Sequence, residues 1–264
     1  MHPLFHIGDR EAFEARFKNM FAVPDSVGVI ESPCGRYLIE LTTFSEYPSD
    51  LARTTFLKKN PGPDYSRGVV REKETGRVIE EIRRNAWDFW TQWIDHPSGD
   101  SYLLCAQDIA GYSAINLSSG ETRHFCPEGE DLESCLVWRK VALSPDGMRL
   151  AVVGSMFFGS PEESRHCVLF DIQSPDSLPY SELARAPCDN SPLESIVAEE
   201  DPENGWRDSE TFVYLEQCLY RKSDGLSIDQ VTEEELDPAQ VGTRIERVTL
   251  RPGQEPVVEI VSDQ

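Results

Sequence analysis

Basic residues are scarce in this chain. Its 264 residues hold 25 Lys+Arg against 47 Asp+Glu, a formal net charge of −22. Nucleic-acid binding by phosphate neutralisation needs clustered Lys and Arg, so that class is excluded, and a polybasic membrane-surface role falls with it. Long apolar runs are also missing. Nowhere do about 18 apolar residues stand together, so no membrane-spanning helix is expected. The N-terminus, MHPLFHIGDREAFEARF, lacks the basic start and apolar stretch of about 7 to 15 residues that mark a signal peptide. Asn116-Leu117-Ser118 matches a glycosylation sequon, which without a secretory signal is read as coincidence.

The usual marks of chemistry are lacking too. The seven cysteines (Cys34, Cys105, Cys126, Cys135, Cys167, Cys188, Cys218) contain no CxxC pair, and the nearest two stand nine residues apart. A zinc knuckle or redox motif needs closer spacing, so the cysteines read as small buried residues of a cytoplasmic protein. There is no G-x-S-x-G, no P-loop and no G-x-G-x-x-G. Among the five histidines only His2 and His6 have ligand-like i,i+4 spacing, and they precede a helix rather than sit on one. No metal and no cofactor are expected. With 47 acids, a carboxylate pair for hydrolysis is neither signalled nor excluded.

What is present is material for a core: 39% of residues are hydrophobic and 25 aromatics are spread along most of the chain. Disorder throughout is therefore excluded. The apolar stretches repeat with a recognisable punctuation. Ser32-Pro-Cys-Gly35, His96-Pro-Ser-Gly99 and Ser144-Pro-Asp-Gly147 each lead directly into an apolar strand, and Asp208-Ser-Glu-Thr211 is a degenerate fourth copy before Phe212. A second set of turns follows downstream: Glu72-Lys-Glu-Thr-Gly76, Asn116-Leu-Ser-Ser-Gly120, Asp171-Ile-Gln-Ser-Pro-Asp176 and Thr249-Leu-Arg-Pro-Gly253. Gly supplies φ > 0 and Pro pre-sets φ, so these are hairpin signals. Four short strands per unit predict propeller blades, whose usual period is ~40–50 residues. Here Tyr37, Tyr102, Leu150 and Phe212 stand 65, 48 and 62 residues apart, the long spacings being insertions in loops.

Leu143-Ser-Pro-Asp-Gly-Met-Arg-Leu-Ala-Val-Val-Gly154 resembles the SPDG-x-x-LA core of the WD40-like propeller repeats typified by TolB. Val168-Leu-Phe-Asp-Ile172 resembles the end of such a blade's third strand. The resemblance spans roughly residues 27 to 260, and the third unit matches most closely. The Gly-His…Trp-Asp pair of true WD40 repeats is missing, so their hydrogen-bond network is not implied. The resemblance implies a fold and a style of binding and no particular chemistry.

The expected architecture is all-β: four four-stranded antiparallel units in a small β-propeller-like arrangement, with a short N-terminal helix. Residues 1–26 form the helical segment, with Phe13, Phe17, Met20 and Phe21 on one face, Asp9 as cap and Pro24 as stop. Residues 27–264 form the repeat domain, its units at about 27–84, 85–127, 133–187 and 193–261. The aromatic run Trp87-Asp-Phe-Trp-Thr-Gln-Trp93 is expected as core packing on an inner strand.

Two segments stand outside the repeat. One, between Phe44 and Arg67, is a loop carrying Tyr47 and Tyr65. The other, Glu194 to Gln240, holds 14 Asp+Glu and only Arg207, Arg221 and Lys222 as bases, half of the net charge. Within it, Glu199, Glu200, Asp201 and Glu203 flank Trp206, the pattern of an acidic docking site with an aromatic anchor. The sequence therefore reads as a non-catalytic protein-interaction module. Its partner is a basic protein rather than nucleic acid or membrane, and an immunity or inhibitor protein is one concrete form. The alternative is a hydrolase with a carboxylate-lined site at the channel mouth.

Overall fold

The computed structural model describes residues 24–45, 64–84, 89–107, 111–125, 127, 136–156, 165–188, 205–223, 227–228 and 240–263. The predicted N-terminal helix lies outside them. The described residues build four sheets, each from consecutive stretches of chain. The first sheet is β1 (Pro24–Glu31), β2 (Tyr37–Ser45), β3 (Asp64–Glu72) and β4 (Val78–Arg84), in that order. The second is β5 (Thr91–Asp95), β6 (Ser101–Gln107), β7 (Gly111–Asn116) and β8 (Thr122–Phe125). The third is β9 (Leu136–Leu143), β10 (Arg149–Met156), β11 (Arg165–Asp171) and β12 (Ser181–Pro187). The fourth runs β13 (Gly205–Trp206), β14 (Phe212–Arg221), β16 (Val241–Leu250) and β17 (Val257–Asp263), with the two-residue β15 (Ser227–Ile228) added beside β14. Each is an antiparallel meander with the make-up of a propeller blade, so the fold is all-β and propeller-like, as the repeat punctuation predicts.

The repeat is visible in the turns. In the first sheet Ser32 N–H donates to Tyr37 O and Gly35 N–H to Ser32 O, both at 2.9 Å, while Ser32 Oγ accepts from Tyr37 N at 3.0 Å. The third sheet repeats every bond: Ser144 N–H to Arg149 O, Gly147 N–H to Ser144 O, and Arg149 N–H to Ser144 Oγ, all at 2.9 Å. Gly35 and Gly147 adopt φ of 69° and 74°, a region closed to most side chains, so the glycine ends the turn at no steric cost. In the degenerate fourth copy Asp208 takes over: its Oδ1 accepts from Glu210 N and Thr211 N at 2.7 Å each.

Strand direction decides where the connections fall. In a four-stranded meander the first-to-second and third-to-fourth turns lie at one end. The second-to-third connection, and the points where the chain enters and leaves, lie at the other. The tight turns described above occupy the first end of each sheet. Segments 46–63, 108–110, 157–164 and 224–239 are second-to-third connections; 85–90, 126–135 and 189–204 join one sheet to the next. In every sheet they attach at the second end.

The chain divides into two compact units, residues 1–137 with 174–179, and residues 138–173 with 180–264. In the first, Tyr37, Ile39, Val70 and Ile82 pack against Leu103, Cys105, Ile115 and Leu117, with Phe89 and Trp93 at the margin. Alternation along β2 and β6 puts these residues on facing surfaces. A Cβ at Gly68 would stand 2.8 Å from Ile39 Cδ1 and 2.9 Å from Phe89 Cζ, so only glycine lets the Phe89 ring close over β3. In the second unit Ala151, Val153, Cys167, Leu169, Ala184 and Ala186 face Phe212, Tyr214, Val248 and Leu250. Tyr214 is fully buried, and its hydroxyl donates to Pro187 O at 2.7 Å.

Candidate functional site

Of the residues that the sequence proposes for partner binding, only Trp206 has a described side chain. Glu199, Glu200, Asp201, Glu203 and Tyr47 lie outside the described residues. Tyr65 sits in β3 opposite Phe44, its side chain likewise outside them. Trp206 is half-buried: its Nε1–H donates to Ala142 O at 3.1 Å and its ring meets Phe212 edge-on at 5.3 Å. Its polar atom is thus used within the fold, and part of the ring remains open. The adjoining turns carry Asp146, Asp208, Glu210 and Glu255 together with Arg149, Arg207 and Arg251. Arg149 donates to Ser209 O at 2.8 Å and contacts Glu210 at 3.3 Å and Asp146 at 3.5 Å. Hydrogen bonds, that from Glu210 N–H foremost, hold the Asp208 carboxyl below its usual range. In these turns acids and arginines are nearly equal in number.

The acid excess lies elsewhere. The described residues contain 22 of the 47 acids and 19 of the 25 bases, so the sheets are nearly neutral. Beyond residue 84, the segments outside the described residues carry 20 Asp+Glu and no Lys or Arg. In each sheet those segments attach at the end opposite the tight turns. Of the 14 acids in Glu194–Gln240, only Asp208, Glu210 and Glu216 fall among described residues. Strands β13, β14 and β15 run through this segment, so it is not a single loop inserted into the fourth repeat.

At that same end of the fourth sheet, one face of the β14–β16 hairpin changes character. The cross-strand pairs run Phe212–Leu250, Tyr214–Val248, Glu216–Glu246, Cys218–Arg244 and Tyr220–Gly242. The first two are core; the third places two buried carboxylates directly opposite one another. Arg244, 12% exposed, meets Glu246 Oε1 through both Nε and Nη2 at 2.5 Å. Cys218 Sγ donates to Glu246 Oε2 at 3.4 Å. Burial, with Glu216 and Glu246 adding to it, pushes the Cys218 thiol up to about 12, so it remains a neutral donor. The Arg244 guanidinium also lies 5.4 Å from the centre of the Tyr220 ring, within cation–π range. Gly242 leaves the space that the ring occupies. Sequence reading passed over this cluster. The signal was there in the alternation Phe212, Tyr214, Glu216, which puts an acid in register with core residues.

A second local site is the Ser32-Pro33-Cys34-Gly35 turn. Cys34 holds the position that Asp146 holds in the third repeat. There Asp146 accepts from Ser144 Oγ at 2.6 Å and Met148 N at 3.1 Å. Cys34 Sγ lies 3.4 Å from Ser32 Oγ. The Ser32 hydroxyl, then the Arg36 backbone and guanidinium, lower the exposed thiol below its ordinary value despite some burial. Among the described residues, five cysteines form no disulfide and no group of His, Cys, Asp and Glu could hold a metal ion. No helix among them is long and apolar enough to cross a membrane.

No protein-family model matches the chain. Over 96 residues, 36% of its length, it is 28% identical to an uncharacterized protein of Acanthamoeba polyphaga mimivirus, spanning 37% of that protein. Among solved structures, Kuenenia stuttgartiensis hydrazine synthase is similar with a TM-score of 0.39 and 16% identity, over 89% of this chain and 65% of that one. The Cps50 (Swd1) β-propeller domain of Myceliophteria thermophila gives a TM-score of 0.34 and 16% identity, over 89% and 57%. The chain therefore spans less than two thirds of each of these proteins. The fold stands on its own strand order and register.

Proposed function

We propose that the chain is a non-catalytic protein-interaction module whose acid-rich connections engage a basic protein partner. One observation carries this reading: nearly neutral sheets bear connections that, beyond residue 84, hold 20 acids and no base, attached at one end of every sheet. Such a one-sign field steers a basic partner and discourages acidic ones. Trp206, Glu199, Glu200, Asp201 and Glu203, with Tyr47 and Tyr65, are the proposed contact residues. An immunity or inhibitor protein that covers a basic toxin is one concrete form, and a cytoplasmic location belongs to the same proposal. Kinship with TolB-type repeats is also part of it, supported by the three turn bonds that Ser32 and Ser144 share. Binding to a basic protein probe such as lysozyme, titrated against KCl, tests the reading. Affinity should fall steeply with salt and should weaken in a variant with Glu199, Glu200, Asp201 and Glu203 changed to amides. Binding indifferent to ionic strength sinks it.

The Glu216–Glu246 pair favours a second reading, a carboxylate-dependent hydrolase. Directly opposed residues put their side chains on one face of the sheet, and a pair of carboxyl groups on one face is what glycoside hydrolysis requires. Against it, Arg244 and Cys218 already occupy both Glu246 oxygens. Hydrolysis of p-nitrophenyl glycosides that disappears in Glu216→Gln would support this reading, and no turnover in the native protein removes it.

A further inference from the structure

We propose that the outer edge of β17 accepts an extended basic peptide segment as an added strand. This inference rests on the basic-partner reading above and names where that partner engages. Four strands end the sheets on this side of the meander: β4, β8, β12 and β17. The first three carry arginines: Arg83 and Arg84 on β4, Arg123 paired with Glu121 beside β8, and Arg185 paired with Glu182 on β12. Charged residues, above all basic ones, are how proteins guard a free edge. Strand β17, sequence VVEIVSD, has no Lys or Arg.

It shows apolar residues on both faces instead. Val257, Val258, Ile260 and Val261 are 45%, 53%, 58% and 44% exposed. Its one described partner is β16, and the pairing is regular from Val257 to Ile260 before a register shift leaves Val261 without an opposite residue. Among the described residues no strand pairs with the outer side of that stretch, and a bulge bounds it. Glu259 lies in its middle, 62% exposed; Arg247, opposite it on β16, reaches it only at 4.0 Å, the outer limit of an ion pair. Glu255 precedes it and is exposed. An added strand with β-branched residues facing Val258 and Ile260, and Lys or Arg facing Glu259, satisfies both the apolar and the acidic positions. A second copy of β17 brings only more acid to a chain of net charge −22. Strand β1 also exposes Val27, Val29 and Ile30. It carries Gly28 at its centre, however, and its Glu31 is already held by Lys73 at 2.7 Å.

The test is fluorescence anisotropy with a labelled (Lys-Val)4 peptide at low salt, against (Glu-Val)4 and a (Lys-Val)4 N-methylated at alternate backbone positions. The expected result is binding of (Lys-Val)4 alone, weakened about tenfold by Ile260→Lys or Glu259→Lys and unchanged by Val29→Lys. Both changed β17 side chains are exposed, so folding is not at stake. Equal binding of the N-methylated peptide reduces the effect to charge attraction and overturns the proposal, as does loss through Val29→Lys. A dimer in light scattering that Ile260→Lys splits assigns the edge to a second copy and also overturns it. Absent peptide binding with salt-sensitive lysozyme binding retained refutes strand addition alone; loss of both refutes the parent reading.

Discussion

Glu216 and Glu246 face each other across β14 and β16, both buried, with Arg244 and Cys218 bound to one of the two. Like charges directly opposite on a sheet repel, and the guanidinium on Glu246 is one group that makes this register tolerable. Replacing Arg244 by Leu takes the buried Glu246 out of its ion pair and should cost about 3–5 kcal/mol of stability in urea unfolding. Adding Glu246→Gln to that variant should recover most of the loss. If the second change adds to the first instead, Arg244 stabilises the fold by packing and not by charge.

Alkaline pH should loosen the same unit. The Cys167 thiol and Tyr214 hydroxyl are pushed well above their ordinary values, chiefly by burial, and Cys218 is pushed up to about 12. For an acid whose folded value is raised, the unfolded chain ionises first. The stability these groups contribute is full below the unfolded values of about 9 to 10 and is lost as pH climbs through the folded ones. Thermal midpoints should therefore fall from about pH 9 upward, and less steeply in Cys218→Ala. A flat profile to pH 11 would contradict the burial of these groups.

Cys34 should behave in the opposite way. Its thiol is lowered, by the Ser32 hydroxyl first, and it is exposed. At neutral pH it should alkylate with iodoacetamide well before Cys167 or Cys218, since only the thiolate reacts. Ser32→Ala should raise its pKa toward the ordinary value and slow the reaction at pH 7. Site-resolved mass spectrometry reads both effects.

Much of the fold is legible because its signals are local. Gly35, Gly76, Gly99, Gly120, Gly147 and Gly253 mark six of the turns from sequence, and all six adopt positive φ. The carboxylate cluster is different. Glu216 looks like the end of an apolar run at Leu215, yet β14 continues to Arg221 because β16 pairs with it along ten residues. The residues that make Glu216 tolerable, Arg244 and Glu246, lie about 30 positions away, beyond the reach of any local pattern. Trp206 shows the same limit: nothing beside it in sequence points to Ala142 O as the partner of its indole.

Two glycines should respond unequally to alanine. At Gly68 the new methyl meets Ile39, fully buried, and Phe89, packed against the first unit's core. Neither can move freely, and a loss of about 1–3 kcal/mol is expected. At Gly242 the clash is with the half-buried Tyr220 ring, which can swing aside. Gly242→Ala should cost less and should be felt at the Arg244–Tyr220 contact. Chemical denaturation that ranks Gly242→Ala as the costlier change would show that Tyr220 is locked.

Salt should act on stability and on binding with opposite signs. A net charge of −22, concentrated in connections that attach at one end of each sheet, repels itself in the compact state. Raising salt from about 10 to 150 mM shortens the screening length from roughly 30 to 8 Å, which weakens that repulsion and should raise the unfolding midpoint. The same screening weakens attraction to a basic protein. Stability rising while lysozyme binding falls over one salt series is what a charge field of this kind demands. A midpoint that falls with salt would mean that ion pairs such as Arg67–Glu81 and Arg71–Glu40 outweigh the repulsion.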